Sequence, residues 1–131
     1  MRLIYKILVL SFFCAAFSYP QDSSKATSNS GESEVNYLVG VKSDNSGLRA
    51  SSAYYLGEMK SEKAVIPLME ILRTDTSAST RIMAALSLYK IGDARGLHAI
   101  KQAIRFDSDE QVKKMCGLLT QMHELEKSKG K

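Results

Sequence analysis

His98 and His123 are the only two histidines in 131 residues, and His123 is followed by Glu124. Imidazole and carboxylate together can hold a metal, but a catalytic metal needs about three convergent protein ligands. One His-Glu pair falls short, so no metal and no cofactor are expected. Cys14 and Cys116 are the only thiols. They form no Cys-x-x-Cys unit, and Cys116, between Met115 and Leu119, reads as a buried, inert thiol. Ser51-Ser52 and the run Ser77 to Thr80 supply hydroxyls, but no histidine stands near them in the chain. They read as helix-start and packing residues. The sequence holds no glycine-rich phosphate loop and no nucleophile elbow. No catalytic residues are expected, and the chain is read as a non-enzyme.

The elements that position these side chains repeat. Arg49, Ala53 and Leu56 recur 32 residues on as Arg81, Ala85 and Leu88, and Arg73 and Asp75 recur as Arg105 and Asp107. The apolar positions keep step: Val65 with Leu97, Leu68 with Ile100, Leu72 with Ile104. A third copy starts at Lys113 and stops after one helix. A helical repeat of this period implies stacked helix pairs. In the first unit, Leu48, Ser52, Tyr55, Leu56 and Met59 mark an A helix over about 46–58, with Gly57 near its end. Ser61 is placed to cap the B helix, which carries Pro67 near its first turn and the stripe Val65, Leu68, Ile71 and Leu72. In the second unit, Ser77, Ser79 or Thr80 caps an A helix with Ile82, Ala85, Leu86, Leu88, Tyr89 and Ile91. Gly92 breaks it, and Asp93 caps a B helix striped by Leu97, Ile100, Ala103 and Ile104. Ser108 and Gln111 form a capping box for a last helix through Val112, Cys116, Leu119, Met122 and Leu125. Val35, Leu38 and Val39 suit a short helix over the open end of the stack. Small Ala53 and Ala85 allow close helix approach.

The ends read differently. Residues 1–18 have a basic start (Arg2, Lys6), an apolar stretch from Ile7 to Phe17, and small Ala16 and Ser18 before Tyr19. That is the layout of a secretory signal peptide, too short for a membrane span of ~20 apolar residues. Residues 19–33 are Ser-, Asn- and Thr-rich and read as a disordered linker. Residues 34–126 form the repeat domain, and 127–131 a basic tail. These ends predict an exported protein, periplasmic or secreted, with no membrane span after cleavage. The formal charge of +4 comes from 18 basic and 14 acidic residues. From Asp44 to Glu126 the two signs balance, and the excess sits in the termini. That argues against a nucleic-acid partner.

Leu48-Arg49, Ala53, Leu56-Gly57, Ala64-Val65 and Leu68, with Arg81, Ala84-Ala85, Leu88 and Ile91-Gly92-Asp93-Ala94-Arg95, resemble HEAT repeats. In detail they are similar to the bacterial HEAT-like repeats related to phycobilin lyases. The resemblance implies an all-α fold, a short α-solenoid of about two and a half repeats of antiparallel helix pairs. It also implies a structural ladder of Asp75 with Arg81 and Asp107 with Lys113, six residues apart. In such arrays the B helices line the concave side. There Ile66, Met69, Glu70 and Arg73 join His98, Lys101, Gln102 and Arg105 as candidate partner-binding residues. Arg73 and Arg105 are expected to stack and, with Lys101, to make a basic patch for an acidic, partly apolar protein or peptide. The expected function is a non-catalytic scaffold or adaptor. The alternatives are self-assembly into a homo-oligomer and a lyase-like chromophore or enzyme-accessory role.

Overall fold

The computed structural model describes residues 30–130. The signal and most of the linker read from the sequence lie outside the described residues. Six α-helices follow one another: α1 (Ser30–Gly40), α2 (Ser46–Glu58), α3 (Val65–Thr74), α4 (Ala78–Ile91), α5 (Ala94–Phe106) and α6 (Glu110–Lys129). A 3-10 turn, Glu62–Ala64, leads into α3. The architecture is the expected short all-α solenoid: α2 and α3 make up the first unit, α4 and α5 the second, and α6 opens a third, with α4 at the centre packed on α2, α3, α5 and α6. α1 begins inside the stretch read as linker, and α6 runs through most of the stretch read as tail.

The caps explain where the helices start. Asn45 Oδ1 accepts from the Leu48 N–H at 3.1 Å, Ser77 Oγ from Thr80 at 3.4 Å, and Asp93 Oδ1 from Arg95 at 2.8 Å. Each satisfies an N–H that the first turn leaves without a partner. Asp109, not Ser108, caps α6: its Oδ1 accepts from Gln111 at 2.8 Å and Val112 at 3.1 Å. A carboxylate there also faces the positive helix end. Ser61 does not cap the B helix; its hydroxyl donates to Glu34 Oε1 at 2.6 Å and ties α1 to the α2–α3 turn.

Leu56, Val65, Leu68, Leu88, Ile100, Val112 and Cys116 are fully buried and run as one core along the stack. Burial of such a side chain contributes about 1.5–3 kcal/mol. The inward face of α2 differs from the expected stripe. Ser52, Ala53, Leu56 and Gly57 are buried, while Leu48, Tyr55 and Met59 are exposed. The reason is close approach between A helices: Ser87 Oγ of α4 donates to the Ala53 carbonyl at 2.7 Å. Only small side chains fit such a seam. On α1, Tyr37 and Leu38 pack inward, and Val35 and Val39 face outward. Tyr37 stacks on Tyr55, ring centres 4.8 Å apart, and so fixes α1 against α2.

The two A-to-B turns share a conformation through different residues. Gly92 has φ 77°, and Lys60, one repeat earlier, has φ 51°. Glycine takes the left-handed region freely, whereas a side chain there is strained by about 1–2 kcal/mol. Lys60→Gly is therefore expected to stabilise the fold by about 0.5–1 kcal/mol, because the greater freedom of glycine in the unfolded chain offsets part of the relief. A lower urea midpoint for that variant would refute this account of the turn.

Candidate protein-binding groove

The groove rests on a rigid frame of arginine and aspartate. Arg49, at the start of α2, donates from Nε to Asp75 Oδ2 at 2.6 Å and from Nη2 to Oδ1 at 3.0 Å. Arg81, at the start of α4, holds Asp107 in the same fork at 2.9 and 2.8 Å. Each aspartate also accepts the N–H two residues on, from Ser77 and from Asp109. Each arginine spends a third donor on the junction before its own helix: Arg49 on the Ser43 carbonyl at 2.8 Å, Arg81 on the Asp75 carbonyl at 2.7 Å. The chain is thus laced at every unit boundary.

This pairing corrects the expected ladder. Arg81 meets Asp75 through the main-chain carbonyl and gives its fork to Asp107. Lys113 bonds Glu110 at 2.8 Å and not Asp107, and Arg49 heads the ladder. The physical reason is the turn. Six residues on, across a tight helix-to-helix junction, the aspartate's carboxylate is already turned toward its own N+2 amide and toward the arginine 26 residues back.

On that frame α3 and α5 lie side by side and leave a groove of about 670 Å³. Leu72 and Ala103 form part of its lining, between Ile66, Met69, Glu70 and Arg73 from α3 and His98, Ala99 and Gln102 from α5. Six of the eight residues expected on the B face therefore line one groove. Lys101 and Arg105 do not. Lys101 turns to Glu124 on α6, at 3.4 Å. At the end of α5 it is Phe106, not Arg105, that joins Arg73 in the groove lining. Phe106 is 75% exposed and Ile66 57%. Sequence reasoning missed Phe106 because it falls off the core stripe and matches Thr74 in the other unit. Its signal was a large aromatic at a position the repeat leaves polar.

His98 Nε2 lies 3.3 Å from Gln102 Nε2, one turn on. Among the described residues, no three His, Cys, Asp or Glu side chains gather in a way that could hold a metal ion. Cys116 is buried, and that burial, with Asp107 adding to it, pushes its pKa up to about 11, so the thiol stays protonated near neutral pH. No helix among the described residues is long and apolar enough to cross a membrane.

Antiparallel helix pairs, an arginine–aspartate lacing and an open groove on the B helices define a short helical-repeat solenoid. The family model for HEAT repeats matches residues 37–117, and the chain belongs to the HEAT-repeat family. Compared with curated proteins, it matches none. HEAT repeats generally serve as protein-interaction scaffolds, and the family is typically non-catalytic.

Proposed function

We propose that this chain is an exported, non-catalytic adaptor that holds an apolar segment of a partner protein in the groove between α3 and α5. The single observation that carries the reading is the groove itself: exposed Ile66 and Phe106 stand over an apolar lining, with Glu70 and Arg73 beside them. A groove of this kind takes aliphatic or aromatic anchors from a partner, and Arg73 can fix a carboxylate next to them through its planar fork. The partner segment is therefore apolar and partly acidic. Export rests on residues 1–18, whose basic start, apolar stretch and small residues before Tyr19 suit a signal peptide.

The test compares three baits on extracellular or envelope extract: the native chain, Ile66→Glu with Phe106→Glu, and Lys101→Glu with Arg105→Glu. Both pairs are exposed, and circular dichroism checks that the fold is kept. A protein held by the native bait should be lost with the groove pair and kept with the outer pair. Loss of each anchor is expected to weaken binding by roughly thirtyfold, as for an anchor worth about 2 kcal/mol. Equal capture by all three baits overturns the groove. Visible absorbance of the purified chain would favour instead the chromophore-accessory role that the resemblance to phycobilin lyases implies.

A further inference from the structure

The last helix has two apolar faces, and the described residues bury only one. Val112, Cys116 and Leu119 of α6 are buried against the stack. A second line follows the helix to one side of them: half-buried Met115, then Leu118, Met122 and Leu125, which are 46%, 47% and 60% exposed. Their spacing is three, four, three, the seam of a helix that packs along another helix. Single exposed apolar residues need no explanation, but an unbroken seam over three turns does.

We infer that this seam is occupied by α6 of a second copy, running antiparallel about a two-fold axis near Thr120. The spacing reads the same in both directions. A two-fold there sets Met115 beside Leu125 of the second copy and Leu118 beside Met122, in four matching contacts. The charges fit the same axis. Lys114 precedes Met115 and Glu124 precedes Leu125, both are exposed, and the two-fold brings them to one flank. A parallel pair would instead set Lys114 against Lys114 and Glu124 against Glu124. An anionic lipid surface is disfavoured, because Glu124 and Glu126 border the seam. The exposed Lys101–Glu124 pair, at 3.4 Å, is a weak competitor. A single helix pair falls below the ~800 Å² per partner of a standard interface, so monomer and dimer exchange with concentration. The inference is independent of the groove, which lies on the B helices.

Sedimentation equilibrium of the full chain from about 1 μM to about 1 mM tests it. The mass should rise toward that of a dimer. Leu118→Glu should weaken the dimer by on the order of a hundredfold, since it places a charge inside the seam. Lys114→Glu should weaken it by about tenfold, and adding Glu124→Lys should restore it to within about threefold. All these positions are exposed, so the fold is kept, and circular dichroism confirms it. A mass that stays monomeric throughout overturns the inference. So does a dimer that survives Leu118→Glu, or a charge swap that fails to restore it.

Discussion

Asp107→Ala is expected to destabilise the fold by about 3 kcal/mol and to lower the melting temperature by more than 10 °C. The Asp107 carboxylate is 6% accessible and the Arg81 side chain 9%. Removing one partner of a buried pair leaves the other charge uncompensated, which costs about 3–5 kcal/mol. The low end applies because Arg81 keeps the Asp75 carbonyl at 2.7 Å. The Asp109 N–H also loses its acceptor at the entry to α6. Lys113→Ala is the control. Its partner Glu110 is 84% exposed, so the loss should stay within about 0.5 kcal/mol. Losses of similar size at Lys113 and Asp107 would restore the six-residue ladder.

Acid probes the same aspartates. Burial pushes the Asp107 carboxyl up, but the Arg81 fork, the Asp109 N–H and the Arg81 and Lys113 charges outweigh it and hold the pKa below the ordinary 3.8. The Arg49 fork does the same for Asp75, against burial. A depressed folded pKa means that the unfolded chain binds protons first as pH falls. The stabilisation is thus complete above about pH 4 and is lost as pH drops through the folded values. The native melting temperature should fall steeply below pH 4. Asp107→Ala has less to lose there, so the two curves should converge.

The parts legible in the sequence were local ones. Ser77 and Asp93 cap their helices as expected, because capping depends on a side chain and an amide two or three residues away. The B-helix stripes held because large aliphatic residues face the core from helices that cross at ordinary distance. The α2 face was misread for the opposite reason. Where two helices nearly touch, Ser52, Ala53 and Gly57 turn inward and Tyr54 and Tyr55 are left outside, so size and not hydropathy marks the buried side. The frame was misread because its partners are 26 residues apart and six-residue neighbours offered a nearer match. Six groove residues followed from the repeat register. Phe106 did not, because it departs from that register.

Gly57→Val is expected to cost about 3 kcal/mol, through the seam that the apolar pattern hid. A Cβ on Gly57 would lie 2.8 Å from Cα, Cβ and Oγ of Ser87. A rotamer change can move Oγ but not the Ser87 backbone, so α2 and α4 must part. Overpacking of that kind costs about 1–3 kcal/mol. Parting the helices also breaks the Ser87 hydroxyl bond to the Ala53 carbonyl, worth about 1 kcal/mol. Helix propensity argues the other way, since alanine is favoured over glycine within a helix by about 1 kcal/mol. Gly57→Ala therefore decides between the two effects, and its melting temperature should fall. Gly117 on α6 gives the opposite sign: a Cβ there meets nothing, so Gly117→Ala should stabilise by about 0.5–1 kcal/mol. The next A–A contact has no such seam. Tyr89 stands where Gly57 stood, and its hydroxyl donates to Glu126 Oε1 at 2.8 Å across the α4–α6 gap. Of the two contacts between A helices, the close approach thus belongs to the α2–α4 junction. Ser87→Gly should not restore the Gly57→Ala chain, because the Ser87 Cα still lies 2.8 Å from the new methyl and the bond to the Ala53 carbonyl is lost. If Gly57→Ala instead raises the melting temperature, the two A helices are not in contact there.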